Sequence, residues 1–518
     1  MTWKPEIEEL EYLRGLAYQM GGTENIERHH ARGKLTVRER IAALADSGSF
    51  EEIGTLAGNA TYVGNRLKSF SPSPVVMGVC TVDNRRVIID GSDFTVRGGA
   101  GDEALTLKKG MFAPKMALEW RMPYIHILDA VGGSVRAFEE IGATYLPFGP
   151  GVDPSPRLLQ AVPVVAAVMG SVAGLPAVQA CFAHFSVMVK GTSQIFVAGP
   201  PVVKAALGQE TTKEDLGNEM MHAHESGVID NVAENEEDAF DIIRRFLSYM
   251  PSNVWELPPY IEPTDDPDRC EQALLSIIPQ DRKRPYDPRE ILRYILDKDS
   301  VFEISPFYGQ SRITALARVN GYPVGVMINN PYAMGGAMDV AAAEKVTRFV
   351  QMCNTFHLPM VYFADEPGFM VGPRSERQGM VRSGARVSFT IDQTIMPWIC
   401  FAVRQVYGVA GGAHFRESGM YRRYAWPSGN WGSMHVEGGA MAAFRRVIES
   451  SPDPEEARKE IEDGLKALCS PFRTAHNFGI EEIIDPRTTR PLLCKFIEMA
   501  QVVLKTQLGP YNGPGFRP

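Results

Sequence analysis

The chain has 518 residues, 44% hydrophobic and 22% charged, with a formal net charge of −9: a soluble globular composition, long enough for two to four domains. The acidic balance argues against a nucleic-acid binder, and no uninterrupted apolar run reaches the length of a membrane span. Seven cysteines (Cys80, Cys181, Cys270, Cys353, Cys400, Cys469 and Cys494) form no CxxC pair and no metal-ligand spacing. They read as reduced, mostly buried thiols of a cytoplasmic protein, with no metal site expected, and the acidic N-terminus carries no signal-peptide core.

In chain order, residues 5 to 45 read as helical, with Ile7, Leu10, Leu13 and Leu16 near helical spacing. Thr36 is placed to cap a helix starting at Val37, with Glu39 in its first turn. Residues 75 to 90 read as two strands around a turn at Asp83-Asn84, and Gly98-Gly99-Ala100-Gly101 as a loop. Ala104 to Trp120 reads as a helix weakened by Gly110 and Pro114, Tyr124 to Leu128 as a strand ending at Asp129, and Gly132-Gly133 as a turn. Val164 to Met169 is a fully buried strand, broken by Gly170 to Gly174 and followed by a second apolar segment, Leu175 to Val189. Such a sequence exposes backbone N–H groups, and two of them aimed at one point hold a developing enolate oxygen. Pro251 to Pro288, rich in proline and acidic residues, reads as an extended surface linker, and the tail LGPYNGPGFRP as irregular.

The second half repeats the first. REILRYILDKDSVFEI from Arg289 parallels RERIAALADSGSFEEI from Arg38, and VNGYPVGV from Val319 parallels VDNRRVII from Val82. GGAMD from Gly335 parallels GGAGD from Gly98, and LPMVYFADEPGF from Leu358 parallels MPYIHILDAVGG from Met122. MPWICFAVRQVYGVAGGA from Met396 parallels VPVVAAVMGSVAGLPA from Val162, so the strand-then-glycine-loop pattern recurs at Pro397 to Ala413. Five matched blocks in one order predict two copies of one α/β domain.

HARGKLTVRERI at His30, MVKGTSQIFVAGPPVVK at Met188 and DLGNEMMHAHESGV at Asp215 carry a family resemblance. So do DEPGFMVG at Asp365, VRSGAR at Val381 and YAWPS at Tyr424. With these motifs the chain resembles, over nearly its whole length, the carboxyltransferase (β) subunit of biotin-dependent acyl-CoA carboxylases, the group of propionyl-CoA and methylcrotonyl-CoA carboxylases. The resemblance implies two tandem crotonase-like domains of the ClpP/crotonase superfamily: residues 1–255 for acyl-CoA and 256–518 for biotin. It implies transfer of CO2 from carboxybiotin, borne by a biotin carboxylase or biotin carboxyl carrier subunit, to the α-carbon of a coenzyme A thioester. It implies homo-hexameric rings, dimers of trimers, with each site between the first domain of one chain and the second of another. The sequence has neither a biotin-attachment motif nor an ATP-binding glycine loop leading to a lysine, so those functions are expected on partners.

By the same resemblance, the thioester oxyanion hole maps to Gly174 and Leu175, and the hole for the biotin ureido oxygen to Gly408, Val409 and Ala410. Gly98, Gly99, Gly132, Gly133 and Lys190 map to the substrate side, Gly412 to a position that helps set acyl size, and Gly368, Phe369 and Arg382 to the biotin side. Fixed N–H groups need no titrating side chain, and no acid–base dyad is legible in the sequence. The chain departs from the family at Gly174-Leu175-Pro176, where two glycines and a small residue are usual, and at His184, where an aspartate is usual. It departs again at Tyr407-Gly408-Val409-Ala410-Gly411-Gly412, against Tyr-Gly-Gly-Ala-Tyr-Asp. Read as pocket changes, these imply an acyl-CoA other than propionyl-CoA, larger or substituted.

Other residues carry plainer readings. His222 and His224 lack a third metal ligand, and Cys181 and Cys400 read as core residues. Asp365 and Glu366, neighbours in a strand, point to opposite faces and read as capping groups. Lys108, Lys109, Lys190 and Lys204 read as solvated charges, each with CoA phosphate contact as the alternative; Trp426 and Trp431 read as packing residues, with a pocket wall as the alternative. Two competing functions stand beside carboxyl transfer: a biotin-independent acyl-CoA decarboxylase using the same enolate hole, and a non-catalytic CoA-binding scaffold.

Overall fold

The computed structural model describes residues 2–99, 106–133, 138, 139, 142–144, 146 and 152–518. The chain folds as two compact units, Met1–Glu256 with Gly515–Pro518, and Leu257–Pro514.

The first unit opens with three helices, Lys4–Tyr18, Thr23–His30 and Val37–Leu44, where the sequence pattern suggests one helical region. The first break falls where Met20 and Gly22 take positive φ, and a side chain on Gly21 would strike the Thr95 carbonyl. The Val37 helix carries the expected cap: Thr36 N–H donates to Glu39 Oε2 at 2.7 Å, and Glu39 N–H donates back to Thr36 Oγ1. The strands are β1 (Glu51–Glu52), β2 (Gly58–Val63), β3 (Arg66–Pro72), β4 (Val75–Val82), β5 (Arg85–Ser92), β6 (Tyr124–Leu128), β7 (Val164–Val168), β8 (Ser171–Ala173), β9 (Phe185–Val189), β10 (Gln194–Phe196) and β11 (Asn231–Ala233). They build a seven-stranded sheet in the order β1-β4-β5-β6-β7-β9-β11 and two small two-stranded sheets, β10-β8 and β2-β3. β4 and β5 form an antiparallel hairpin; from β5 to β11 the large sheet is parallel.

The second unit repeats this plan. Its strands are β12 (Phe302–Ile304), β13 (Arg312–Val319), β14 (Tyr322–Asn329), β15 (Met360–Glu366), β16 (Trp398–Tyr407), β17 (Tyr421–Ala425), β18 (Asn430–Gly432) and β19 (Glu482–Ile483). Their order is β12-β13-β14-β15-β16-β17-β19, with β18 on β16. Again one antiparallel hairpin, β13-β14, leads into parallel strands. The strained backbone positions repeat as well. Asp83-Asn84 and Asn320-Gly321 turn the two hairpins with positive φ, as tight two-residue turns require. Arg97-Gly98-Gly99 matches Met334-Gly335-Gly336, and Gly174 at φ 67° matches Gly408 at φ 61°. The repeat read from sequence is therefore a repeat of backbone conformation, and the fold is the expected α/β class.

Parallel strands buried on both faces read as near-continuous apolar runs, and here β7, β9 and β15 are buried at every position. The stretch expected as a loose linker is tied down from Pro259 onward. Arg318 Nη1 donates to Pro259 O at 2.9 Å, Arg490 Nε to Asp266 O at 2.8 Å, and Arg269 bonds Asp265, Glu271 and the Tyr294 and Leu296 carbonyls. Leu175 to Val189 splits into a helix, Leu175–Cys181, and the strand β9. Cys181 is half-buried and Cys270 exposed, whereas Cys80, Cys353, Cys400 and Cys494 are buried.

Candidate active site

In the first unit, three glycine-bearing loops meet beyond the ends of β5, β6 and β7. Val131 N–H donates to Gly98 O at 3.0 Å and Ala173 N–H to Ala130 O at 3.2 Å. A Cβ on Gly99 would sit 2.6 Å from Asp129 O, and one on Gly132 3.0 Å from Ala173 O, so both positions exclude a side chain. A Cβ on Gly174 would lie 3.4 Å from the Gly132 Cα. Gly98, Gly99, Gly132 and Gly174 are thus brought together, and Gly133 follows as an exposed loop residue. Gly174 is the N-cap of the Leu175–Cys181 helix and has no capping side chain.

The two N–H groups assigned from sequence are not equivalent. Gly174 N–H already donates to Val197 O at 3.2 Å, whereas Leu175 N–H meets no acceptor among the described residues. Leu175 is therefore the available donor, and its side chain is 53% exposed. Lys190 stands apart, exposed and paired with Glu234 at 3.1 Å, and Lys204 is likewise exposed and paired with Glu210.

The corresponding loop of the second unit follows β16. A short helix, Gly408–Ala413, starts directly after the strand, and its N-cap, Tyr407, offers no capping side chain. The N–H groups of Gly408, Val409 and Ala410 are its first three, the ones an α-helix leaves without partners. None meets an acceptor among the described residues. Val409 is exposed, Ala410 is buried, and a Cβ on Gly412 would enter open space. Beside them, Gly368 takes φ 128° and the Phe369 ring lies against Gly384. His435 links the two loops: Nε2 is 3.0 Å from Pro367 O, and the ring packs on Tyr407 at 4.0 Å. Arg382 is exposed on the Met380–Asp392 helix. Trp431 and Tyr407 help line a cavity of about 280 Å³, so Trp431 is a pocket wall, while Trp426 is core and donates to Thr489 Oγ1 at 3.0 Å.

Beneath each glycine loop lies a buried ionic network. Asp129, at the end of β6, accepts from Lys34 and Arg40, both at 3.1 Å. Arg40 also donates to Glu236 at 2.7 Å and to Met169 O, at the end of β7, at 3.0 Å. One guanidinium thereby joins the two strand ends that carry Gly132 and Gly174. His29 packs 3.8 Å from Asp129 and is held neutral, its pKa lowered to about 4 by burial, with Arg40 and Lys34 acting in the same sense. In the second unit Asp365 accepts from Arg404 at 3.0 Å, from Tyr286 at 3.0 Å and from Gln405 N–H at 3.1 Å. Glu366 pairs with Arg312 and accepts from Gly368 N–H at 3.1 Å. Asp365 and Glu366 are therefore buried ion-pair partners, not caps: a strand end covered on both faces leaves neither carboxylate in water, so each takes a cation.

Three further expectations change. His184 is a core residue, its Nδ1 accepting from Val164 N–H and its Nε2 3.1 Å from Leu159 O, so it reshapes no pocket. Lys109 is buried, with its pKa lowered to about 8 by desolvation; Lys345, the matching residue of the second unit, bonds the Tyr308 and Arg312 carbonyls. An acid–base dyad does exist: His126 Nδ1 lies 2.5 Å from Asp90 Oδ1. Its sequence signal was faint, one polar residue in each of two apolar runs. His222 spends Nε2 on Ile195 O and Nδ1 on Ser226 Oγ, as a structural histidine does.

Residues 28–507 match the carboxyl transferase domain. The chain belongs to the carboxyl transferase family. It is 32% identical over 520 residues to the propionyl-CoA carboxylase carboxyltransferase subunit of Haloferax mediterranei, covering 99% of both chains. It is 32% identical over 484 residues to the methylmalonyl-CoA decarboxylase subunit alpha of Veillonella parvula, covering 92% of both. Among solved structures, the transcarboxylase 12S hexamer, with hydrolysed methylmalonyl-coenzyme A bound, superposes with a TM-score of 0.89 at 30% identity, over 100% of this chain and 99% of that one. The carboxyltransferase is an enzyme built from two crotonase-like sheet units, and its most specific motif, HARGKLTVRERI, supplies Lys34 and Arg40 to the network under the first glycine loop.

Proposed function

We propose that this carboxyltransferase moves a carboxyl group from carboxybiotin on a partner subunit to the α-carbon of an acyl-CoA through a thioester enolate. The observation that carries the reading is the repeated loop. In each unit a glycine of positive φ stands at the start of a short helix, Gly174 as the N-cap of one and Gly408 as the first residue of the other, and the first N–H groups of each helix include unpaired donors. Leu175 N–H takes the negative charge that develops on the thioester oxygen; Gly408, Val409 and Ala410 take the ureido oxygen of biotin. Carboxybiotin, when docked, supplies the CO2 and takes up the α-proton. The donors are fixed by backbone and cost no reorganisation as charge develops. The buried Arg40 and Arg404 networks hold the strand ends under these loops, which keeps the donors in position.

Gly98, Gly99, Gly132 and Gly133 line the acyl-CoA side in this reading, with Lys190 at its margin, and Gly368, Phe369 and Arg382 the biotin side. We place the acyl-CoA function in residues 1–255 and the biotin function in 256–518. The open space at Gly412 supports an acyl group larger than propionyl or substituted. A homo-hexamer, a dimer of trimers, is supported by the hexameric assembly of the 12S relative, and a biotin carboxylase or carrier subunit completes the enzyme. Seven free thiols agree with a cytoplasmic setting.

The test is carboxyl exchange between malonyl-type CoA esters and free biotin over a panel of acyl chains. Carboxybiotin formation with one preferred ester supports the proposal, and a best rate with methylmalonyl-CoA, the ester that leaves propionyl-CoA as product, removes the acyl-size reading. The relative named methylmalonyl-CoA decarboxylase keeps a second reading in play. Loss of CO2 at a rate indifferent to biotin would establish that one instead.

A further inference from the structure

The loop after β16 is built on a helix that its own sequence cannot hold. Gly408–Ala413 spans six residues, and Gly408, Gly411 and Gly412 are among them. So short a helix is unstable alone, and glycine is the poorest helix former after proline. Gly411 admits no better helix former, because a Cβ there would sit 2.8 Å from Val406 Cγ1. The helix has to be held from outside.

His414, directly after it, supplies the hold. Its own N–H turns to Gly411 O at 3.3 Å, a tighter turn than the α-helical pattern, and the Ala410 carbonyl loses its usual backbone donor. The imidazole takes that place: Nδ1 lies 2.8 Å from Ala410 O. A carbonyl only accepts, so Nδ1 carries the proton and donates. The ring is fully buried and neutral, its pKa lowered to about 3 by burial, with Arg312 acting in the same sense. Nε2 is then a bare acceptor, buried and without a hydrogen-bond partner among the described residues. An apolar side chain would fill this space without that cost, so what the histidine contributes is its bond to Ala410 and not its bulk.

The ring rests on Tyr362 of β15, centroids 4.6 Å apart. Tyr362 Oη donates to Asn329 Oδ1 and accepts from Arg312 Nη1, both at 2.6 Å. Arg312 pairs with Glu366, which accepts from Gly368 N–H at 3.1 Å. His414 thereby sets Ala410 on the same buried frame as Gly368, and both residues belong to the biotin side of the proposed site. The fold does not require it: with Gly174 matching Gly408, the residue that matches His414 in the first unit is Ala180, which has no such side chain.

We infer that His414 is a positioning residue of carboxyl transfer: its Nδ1–H bond to the Ala410 carbonyl fixes the Gly408, Val409 and Ala410 N–H groups against the ureido oxygen of biotin. The inference rests on the biotin-side reading of this loop and adds what holds the loop in place.

The test compares His414→Phe, which keeps a ring on Tyr362 but no donor, with His414→Asn, whose Nδ2 reaches the place of Nδ1 but gives up the ring. The full-length proteins are assayed for carboxyl exchange between the preferred malonyl-type CoA ester and free biotin. Hydrogen exchange is followed in peptides spanning residues 408–414. His414→Phe is expected to lower kcat ~10–100-fold, to leave KM for the CoA ester within about twofold, and to speed hydrogen exchange across the helix ~tenfold. His414→Asn is expected to recover most of the rate and of the protection. A packing role predicts the reverse order, Phe near native and Asn impaired, and that order overturns the inference. So does a His414→Phe enzyme within about threefold of the native kcat, or one whose KM for the CoA ester rises as far as kcat falls. Should His414→Phe not fold, His414→Asn decides: a rate within about fivefold of native supports the inference, and a larger loss overturns it. A native chain that exchanges no carboxylate would sink the transferase reading, and the order of the two variants in hydrogen exchange would still decide this one.

Discussion

Leu175→Pro removes one atom group from the proposed hole and little else. Leu175 is the first residue of its helix, where proline is tolerated because the N–H has no helical partner. Gly174, at φ 67° and ψ −131°, lies outside the α region that a following proline disfavours. The Leu175 N–H makes no internal hydrogen bond, and its side chain is already 53% exposed. The stability cost is therefore about 1 kcal/mol, roughly half the value of burying a leucine fully. Loss of one oxyanion donor costs about 2.7–4 kcal/mol of transition-state stabilisation, so kcat should fall ~10²–10³-fold in the carboxyl-exchange assay while Tm moves by only a few degrees. Leu175→Ala is the control. It keeps the N–H, and it should keep kcat within about threefold while altering acyl preference. If Leu175→Pro exchanges carboxylate within threefold of the native rate, or if Leu175→Ala falls as far, the donor assignment is wrong.

Asp129→Asn leaves Lys34 and Arg40 buried with Glu236 as their remaining carboxylate, and breaking such a buried network costs about 3–5 kcal/mol; an unchanged urea midpoint would contradict the role given to Asp129. His29, at about 4 when folded, stays neutral where the unfolded chain, near 6.5, binds a proton. Its folded pKa is depressed, so stability falls as pH drops from 6.5 towards 4, by up to ~3 kcal/mol for this residue. Denaturant titrations at pH 7 and pH 4.5 should show a smaller loss in His29→Gln than in the native chain, and an equal or larger loss would refute the assignment. Gly412→Asp fills space that holds nothing within 4 Å. It should fold normally and shift kcat/KM towards propionyl-CoA by ~tenfold, and an unchanged acyl profile would exclude Gly412 from the acyl pocket.

Much of the architecture was legible in the chain because it is written twice. The apolar runs at Val164 and Trp398, the hairpin turns at Asp83-Asn84 and Asn320-Gly321, and the glycine loops recur in one order, and local chemistry suffices to read each. The candidate loops were legible for the same reason, since a glycine between an apolar strand and a helix announces exposed N–H groups. Which of those groups is free was not legible: Gly174 N–H is occupied by Val197 O, from a loop beyond β10, and no local pattern records that contact.

The sequence by itself determined the α/β class, the repeat and the family, because strand periodicity, turn chemistry and motif order are local and survive as text. Tertiary structure alone decided the electrostatics. Asp129 meets Arg40 across 89 residues, Arg40 meets Glu236 across 196, and Asp90 meets His126 across 36. Adjacent strands bring such side chains within hydrogen-bond distance wherever the register places them. Burial then forces each carboxylate to find a cation or a donor, and a linear reading, which saw capping groups and no dyad, cannot see either step.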